Sequence, residues 1–162
     1  MNPPDDEFLA RLLLTFREEA QDHLDILIAG ILDLEKNDEK SQVSRIEPIF
    51  RATHSLKGAA CAVGLRDIET LCQNLESVFS SVKNGKILLH PPEFDQVHQA
   101  IAMLEALLAG EKKMNTSAMV LELKKIASSS GSGEQADTPD TNRQEGYTGT
   151  LSAGEKPGKP ET

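Results

Sequence analysis

Aromatic residues are scarce in this chain. It has no tryptophan, one tyrosine and five phenylalanines, so a core must be aliphatic, built from Leu, Ile, Val and Ala. No run of 18 apolar residues occurs, which excludes a membrane-spanning helix from the reading. Cysteine is limited to Cys61 and Cys72, with no CxxC. That excludes a disulfide framework and reads as reduced thiols. The four histidines are scattered without paired spacing, which argues against a zinc site, and no metal site is expected. Positive charge is also short: 17 Lys and Arg against 26 Asp and Glu, for a net charge of −9. Residues 1–128 hold 20 acidic and 14 basic side chains, and the other 34 residues hold 6 and 3. Neither part offers a surface for a polyanion, so nucleic acid is excluded as a partner. The N-terminus, Met-Asn-Pro-Pro-Asp-Asp-Glu, lacks the basic start of a signal peptide. The expectation is a cytoplasmic protein without membrane insertion.

What is present is helical periodicity. Pro3-Pro4-Asp5-Asp6 suits a helix start, because proline fits the first turn and aspartate satisfies free N–H groups. Leu9, Leu12, Leu13, Phe16, Ala20, Leu24, Leu27, Ile28, Ile31 and Leu34 then repeat every three or four residues, which predicts one long helix over roughly 6–36. A second helix is expected over about 44–63, with Ile46, Ile49, Thr53, Leu56, Ala60 and Val63 on its core face and Gly64 closing it. The third spans about 66–83, with Ile68, Leu71, Leu75, Val78, Phe79 and Val82 inward. Its polar stripe is Glu69, Gln73, Glu76 and Ser80. Asn84-Gly85 stops it. Pro91-Pro92 opens a fourth helix, which ends at Gly110 and carries Phe94, Val97, Ile101, Leu104 and Leu108. Thr116 or Ser117 caps a fifth, shorter one carrying Met119, Val120, Leu123 and Ile126. Ile87-Leu88-Leu89 is too short and unpartnered for a sheet.

The fold class is therefore all-α: an antiparallel four-helix bundle with an additional fifth C-terminal helix, occupying residues 5–128. From Ser128 the composition changes to a Gly/Ser/Pro-rich stretch. Residues 129–162 are expected to be a disordered linker or tail, to which a further domain would normally be joined.

One segment carries chemistry: Arg51-Ala52-Thr53-His54-Ser55-Leu56-Lys57-Gly58-Ala59-Ala60. Residues three and four apart lie above one another on a helix, so His54, Lys57 and Gly58 share one patch. His54 falls at the edge of the core stripe, not in its centre. An imidazole is a nucleophile at one nitrogen when the other carries a proton, and a carboxylate accepting that Nδ1–H fixes the tautomer and increases the basicity of Nε2. Helices two and three are joined by a short turn and should pack antiparallel, which brings Glu76 toward His54 as that carboxylate. Lys57 is placed to attract phosphoryl oxygens as a point charge. Gly58 leaves room for an approaching partner, and Gln73 is a further polar neighbour. The chain has no Gly-rich nucleotide loop and no acidic cluster to hold Mg²⁺. It can receive and hand over a phosphoryl group, but not make one from ATP unaided.

Residues 52–60, Ala-Thr-His-Ser-Leu-Lys-Gly-Ala-Ala, resemble the motif of histidine phosphotransfer (HPt) domains. With Val63-Gly64-Leu65 and Leu75-Glu76, the chain from about 5 to 128 resembles the N-terminal phosphoacceptor domain of CheA-type chemotaxis histidine kinases. The resemblance implies that His54 is the phosphorylated histidine, that Lys57 and Gly58 are the Lys-Gly following it, and that Glu76 is the glutamate bonded to it. It implies phosphorylation by an ATP-binding histidine kinase domain, then transfer to a response-regulator aspartate in a two-component system. ATP and Mg²⁺ would come with those partners, the domain holding no cofactor itself. Two positions depart from the pattern: Gln73 stands where some relatives have a second histidine, and Val63 where phenylalanine often precedes the glycine.

Two other readings stay open on the residues alone. One is a stand-alone phosphorelay carrier. The other is a non-catalytic helical interaction domain, in which His54 is an incidental surface residue. His23, His90 and His98 lack any comparable context and read as ordinary surface histidines. Cys61 reads as a small neighbour of the patch, not a ligand.

Overall fold

A computed structural model describes residues 3–111 and 114–129. The expected linker, apart from Ser129, lies outside the described residues. The elements are α1 (Pro3–Lys36), a 3₁₀ turn (Glu39–Ser41), α2 (Gln42–Arg45), α3 (Glu47–Ala62), α4 (Arg66–Lys83), α5 (Pro91–Leu108) and α6 (Ser117–Ser128). No strand occurs among the described residues.

Helices α1, α3, α4 and α5 form the bundle, with α3 packed against both α1 and α4, and α6 laid against α4 and α5. The aliphatic stripes meet as their spacing predicts. Leu24, Leu27, Ile31 and Leu34 of α1 interlock with Ile49, Leu56 and Ala60 of α3, with Leu71, Leu75, Val78 and Phe79 of α4, and with Val97 and Leu104 of α5. Cys72 is buried with them.

The expected helix over 44–63 is divided. Pro48 has no N–H to donate to the Ser44 carbonyl, so a continuous ladder cannot run through it. The chain forms one turn, α2, and restarts as α3 with Pro48 in its first turn. Proline is well accommodated there. Backbone bonds from Ile46 to Gln42 and from Phe50 to Ile46 keep the two pieces nearly in line.

The α1 stripe also runs further than the core. α1 has 34 residues and α5 has 18. At about 1.5 Å per residue, α1 outreaches its neighbour by more than 20 Å. Burial starts at Phe16, and Leu9 and Leu12, expected in the core, are exposed. At α6, Thr116 makes no capping bond. The Asn115 side chain instead accepts from the Ser117 N–H at 3.1 Å.

Two fixings were invisible in the pattern. Gln42 is fully buried, and its amide both donates to the Leu89 carbonyl and accepts from the Leu89 N–H, each at 2.8 Å. This pins the α4–α5 connection, which is why Ile87 and Leu89 are buried without being a strand. At Gly30 of α1, a Cβ would lie 2.5 Å from Ile49 Cγ1. The absent side chain is what lets α1 and α3 approach so closely at this point.

At the far end of α3, Gly64 adopts φ +74°. Its N–H donates to the Cys61 carbonyl, and that of Leu65 donates to the Ala60 carbonyl. This is the Schellman closure that favours glycine. The tight turn into α4 sets α3 and α4 side by side in antiparallel register, and so brings residues 54–58 opposite residues 73–76.

Candidate functional site

His54 projects from α3 between the buried Thr53 and the solvent, one turn after Phe50. Its side chain is 63% exposed. Nδ1 lies 3.0 Å from Glu76 Oε1 on α4. With Nδ1 protonated, the imidazole donates to the carboxylate and Nε2 keeps its lone pair. Nε2 has no hydrogen-bond partner among the described residues.

Glu76 is the node of the cluster. Its neighbours Leu75 and Phe79 are fully buried, so its backbone is held rigidly, and its own side chain is only 15% exposed. The second oxygen, Oε2, lies 2.6 Å from Lys57 Nζ. Lys57 Nζ also donates to Gln73 Oε1 at 3.2 Å. Burial pushes the Glu76 carboxyl upward. The hydrogen bonds from Lys57 and then His54, with their charges, outweigh that push and hold it below the usual carboxylate range. The group is therefore an anion at neutral pH, as an acceptor for Nδ1–H must be. All five candidates from the sequence, His54, Lys57, Gly58, Gln73 and Glu76, lie on adjoining surfaces of α3 and α4. Gly58 is exposed, and a Cβ placed there would meet nothing within 4 Å.

A second cluster went unnoticed in the sequence. The Phe50 ring stacks beside the His54 imidazole, with centroids 6.5 Å apart and planes 20° apart. Lys83 Nζ lies 4.7 Å from the Phe50 centroid and 2.6 Å from Glu47 Oε2. Arg51 Nε holds the other Glu47 oxygen at 2.8 Å. Lys83 and Arg51 together hold the Glu47 carboxyl below its usual range. Phe50 stands at the i−4 position from His54, the same spacing that singled out Gly58.

The two thiols differ. Cys72 is buried, and burial, with the Glu76 carboxylate, pushes it up to about 12. Cys61 is exposed, so its small size keeps the surface near Gly58 low instead of filling the core. A hydrogen bond to Glu69 raises its thiol. Neither offers a thiolate at neutral pH. The remaining histidines are not alike. His90 is exposed, whereas His98, expected at the surface, is half-buried; they pair with Glu39 and Glu35, each at 3.0 Å. His23, expected at the surface, is half-buried, with Nδ1 facing no polar partner. Among the described residues no three His, Cys, Asp or Glu side chains converge as metal ligands do.

An antiparallel helical bundle that presents one imidazole on its flank, backed by a buried-edge carboxylate and a lysine, defines a class of small phosphoacceptor-type domains. The family model for the Hpt domain matches residues 11–110, and the chain belongs to that family. It is similar to the chemotaxis protein CheA of Borreliella burgdorferi, at 32% identity over 98 residues, which are 60% of this chain and 11% of that protein. The chain thus spans only about a tenth of that relative's length. Among solved structures it resembles the CheA phosphotransferase domain from Thermotoga maritima, with 30% identity, a TM-score of 0.56, and coverage of 60% of this chain and 90% of that one. The fold is also that of the phosphorylated P1 domain of CheA3 in complex with CheY6 from R. sphaeroides, with 20% identity, a TM-score of 0.60, and coverage of 72% and 95%.

Proposed function

We propose that this chain is the phosphoacceptor module of a chemotaxis-type two-component system. His54 Nε2 attacks the γ-phosphorus of ATP held by a histidine kinase domain, forming an N–P bond as ADP leaves. The phosphoryl group then passes to a carboxylate oxygen of an aspartate on a response-regulator receiver domain, and the N–P bond breaks. Nucleotide and Mg²⁺ belong to those partners, because the chain carries no loop or acidic cluster to hold them. No helix among the described residues is long and apolar enough to cross a membrane, and we place the module in the cytoplasm with its partners.

The observation that carries this reading is the 3.0 Å contact between His54 Nδ1 and Glu76 Oε1 on an imidazole that is otherwise open to solvent. The carboxylate fixes the tautomer, stabilises the charge the ring gains on phosphorylation, and leaves Nε2 as the free nucleophile. Lys57 supplies positive charge one turn away. Gly58 leaves backbone bare where a docking domain must come close. The test is incubation of the chain with a CheA-type kinase domain and labelled ATP. Label should appear in the wild type, be acid-labile, be absent from His54→Gln, and discharge to a receiver domain. Label that survives in His54→Gln would overturn the assignment.

A further inference from the structure

A hydrogen bond at Nδ1 fixes one atom of the imidazole but not the plane of the ring. The ring can still swing about the Nδ1···Oε1 direction, which moves Nε2. The structure holds a second constraint. The Phe50 ring lies one turn below, 6.5 Å away centre to centre and 20° from parallel, within the range of offset-stacked pairs. Phe50 is itself held. Lys83, the last residue of α4, places Nζ 4.7 Å from the Phe50 centroid, and Glu47 grips that ammonium at 2.6 Å. Arg51 steadies Glu47 from the next turn. The phenyl ring therefore neighbours both the imidazole and a cation anchored on the adjoining helix.

We infer that Phe50 is a positioning residue for His54: its flat face, braced by Lys83 and Glu47, sets the plane of the imidazole so that Nε2 points outward while Glu76 holds Nδ1. This inference deepens the phosphoacceptor reading and rests on it for its kinetic consequence. A partly buried phenylalanine on a bundle flank could simply fill space. The two roles part company on shape. Space-filling is met by any apolar side chain of similar bulk, whereas setting a plane needs a ring.

The experiment compares Phe50→Leu and Phe50→Tyr in the full chain. The imidazole is observed by NMR without phosphate, and labelling is measured with a CheA-type kinase domain and ATP. In the wild type and Phe50→Tyr, the His54 ring protons should show the upfield shift of a stacked neighbour, and the Nδ1–H tautomer should predominate. In Phe50→Leu Glu76 should keep the Nδ1–H tautomer, while the NOEs from the His54 ring protons to α4, which report the plane of the imidazole and are the same in the wild type and Phe50→Tyr, should weaken. The kcat for labelling should fall about tenfold in Phe50→Leu, the scale set by losing one aromatic pair. KM should stay unchanged, and Phe50→Tyr should restore kcat. A Phe50→Leu chain with the wild-type His54 ring NOEs, or with the wild-type kcat, would overturn the inference. If the wild type itself takes no label, the phosphoacceptor reading fails, and the NMR comparison still judges whether Phe50 sets the ring.

Discussion

Lys57 Nζ lies 2.6 Å from Glu76 Oε2, so the lysine is engaged by the carboxylate before any phosphoryl group arrives. The same carboxylate takes the His54 ring through its other oxygen. Charge placed on Nε2 would therefore be felt by a three-member unit, in which Lys57 can turn toward phosphoryl oxygens only by sharing or leaving Glu76.

Removal of Glu76 should separate folding from chemistry. Glu76→Ala deletes a partly exposed side chain, so helical circular dichroism should be unchanged. Phosphorylation should slow by about ten- to a hundredfold, the usual cost of losing a group that orients a reactive histidine. A wild-type labelling rate in this variant would contradict the role.

Acidification should act on the same contact. The Glu76 carboxyl in the folded chain lies below its ordinary value of 4.5. A group whose folded pKa is depressed contributes stability that is fully present above the unfolded pKa and is lost as pH falls through the folded one. Urea unfolding should thus show stability declining as pH drops below about 4.5, with a shallower decline in Glu76→Gln. Equal slopes for the two proteins would contradict the pairing.

Salt should discriminate the role of Lys57. Its side chain is 22% exposed and that of Glu76 15%, so their mutual contact is screened only weakly. A phosphoryl group or an incoming domain meets Lys57 from solvent, where screening is effective. Lys57→Ala should slow transfer, and the gap to the wild type should narrow between low salt and 0.5 M. A gap independent of salt would place the lysine's effect wholly within the Glu76 contact.

The two glycines facing opposite ways should respond oppositely to alanine. At Gly58 nothing within the chain opposes a Cβ, and alanine favours a helix interior by about 1 kcal/mol. Gly58→Ala should raise the urea midpoint yet slow transfer to the receiver domain, because the clearance serves a partner. At Gly30 a Cβ would meet Ile49 Cγ1 at 2.5 Å. Overpacking of this kind costs about 1–3 kcal/mol, so Gly30→Ala should lower the midpoint. Equal shifts in the two variants would contradict this reading of the packing.

The sequence revealed most where its signal was periodic. The stripes of α3, α4 and α5 and the rim position of His54 all follow from three-and-four spacing, and the short turn at Gly64 implied that Glu76 would reach the histidine. What stayed hidden depends on register between distant segments. Gln42 and Leu89 are 47 residues apart, and nothing in a glutamine announces a buried amide clamp. Lys83 reaches Phe50 only because α3 and α4 align as they do, and Gly30 matters only because Ile49 lies opposite. Two signals were present and unread. Pro48 within the expected second helix marks the break that separates α2 from α3. Phe50, four residues before His54, has the spacing already used to place Gly58 beside it.

The direct test of the account is the site of the N–P bond. Glu76 occupies Nδ1, so ³¹P and ¹⁵N NMR of the phosphorylated chain should show the phosphoryl group on Nε2 of His54, with Nδ1 still protonated and hydrogen-bonded. A phosphoryl group on Nδ1, or on any other residue, would contradict it.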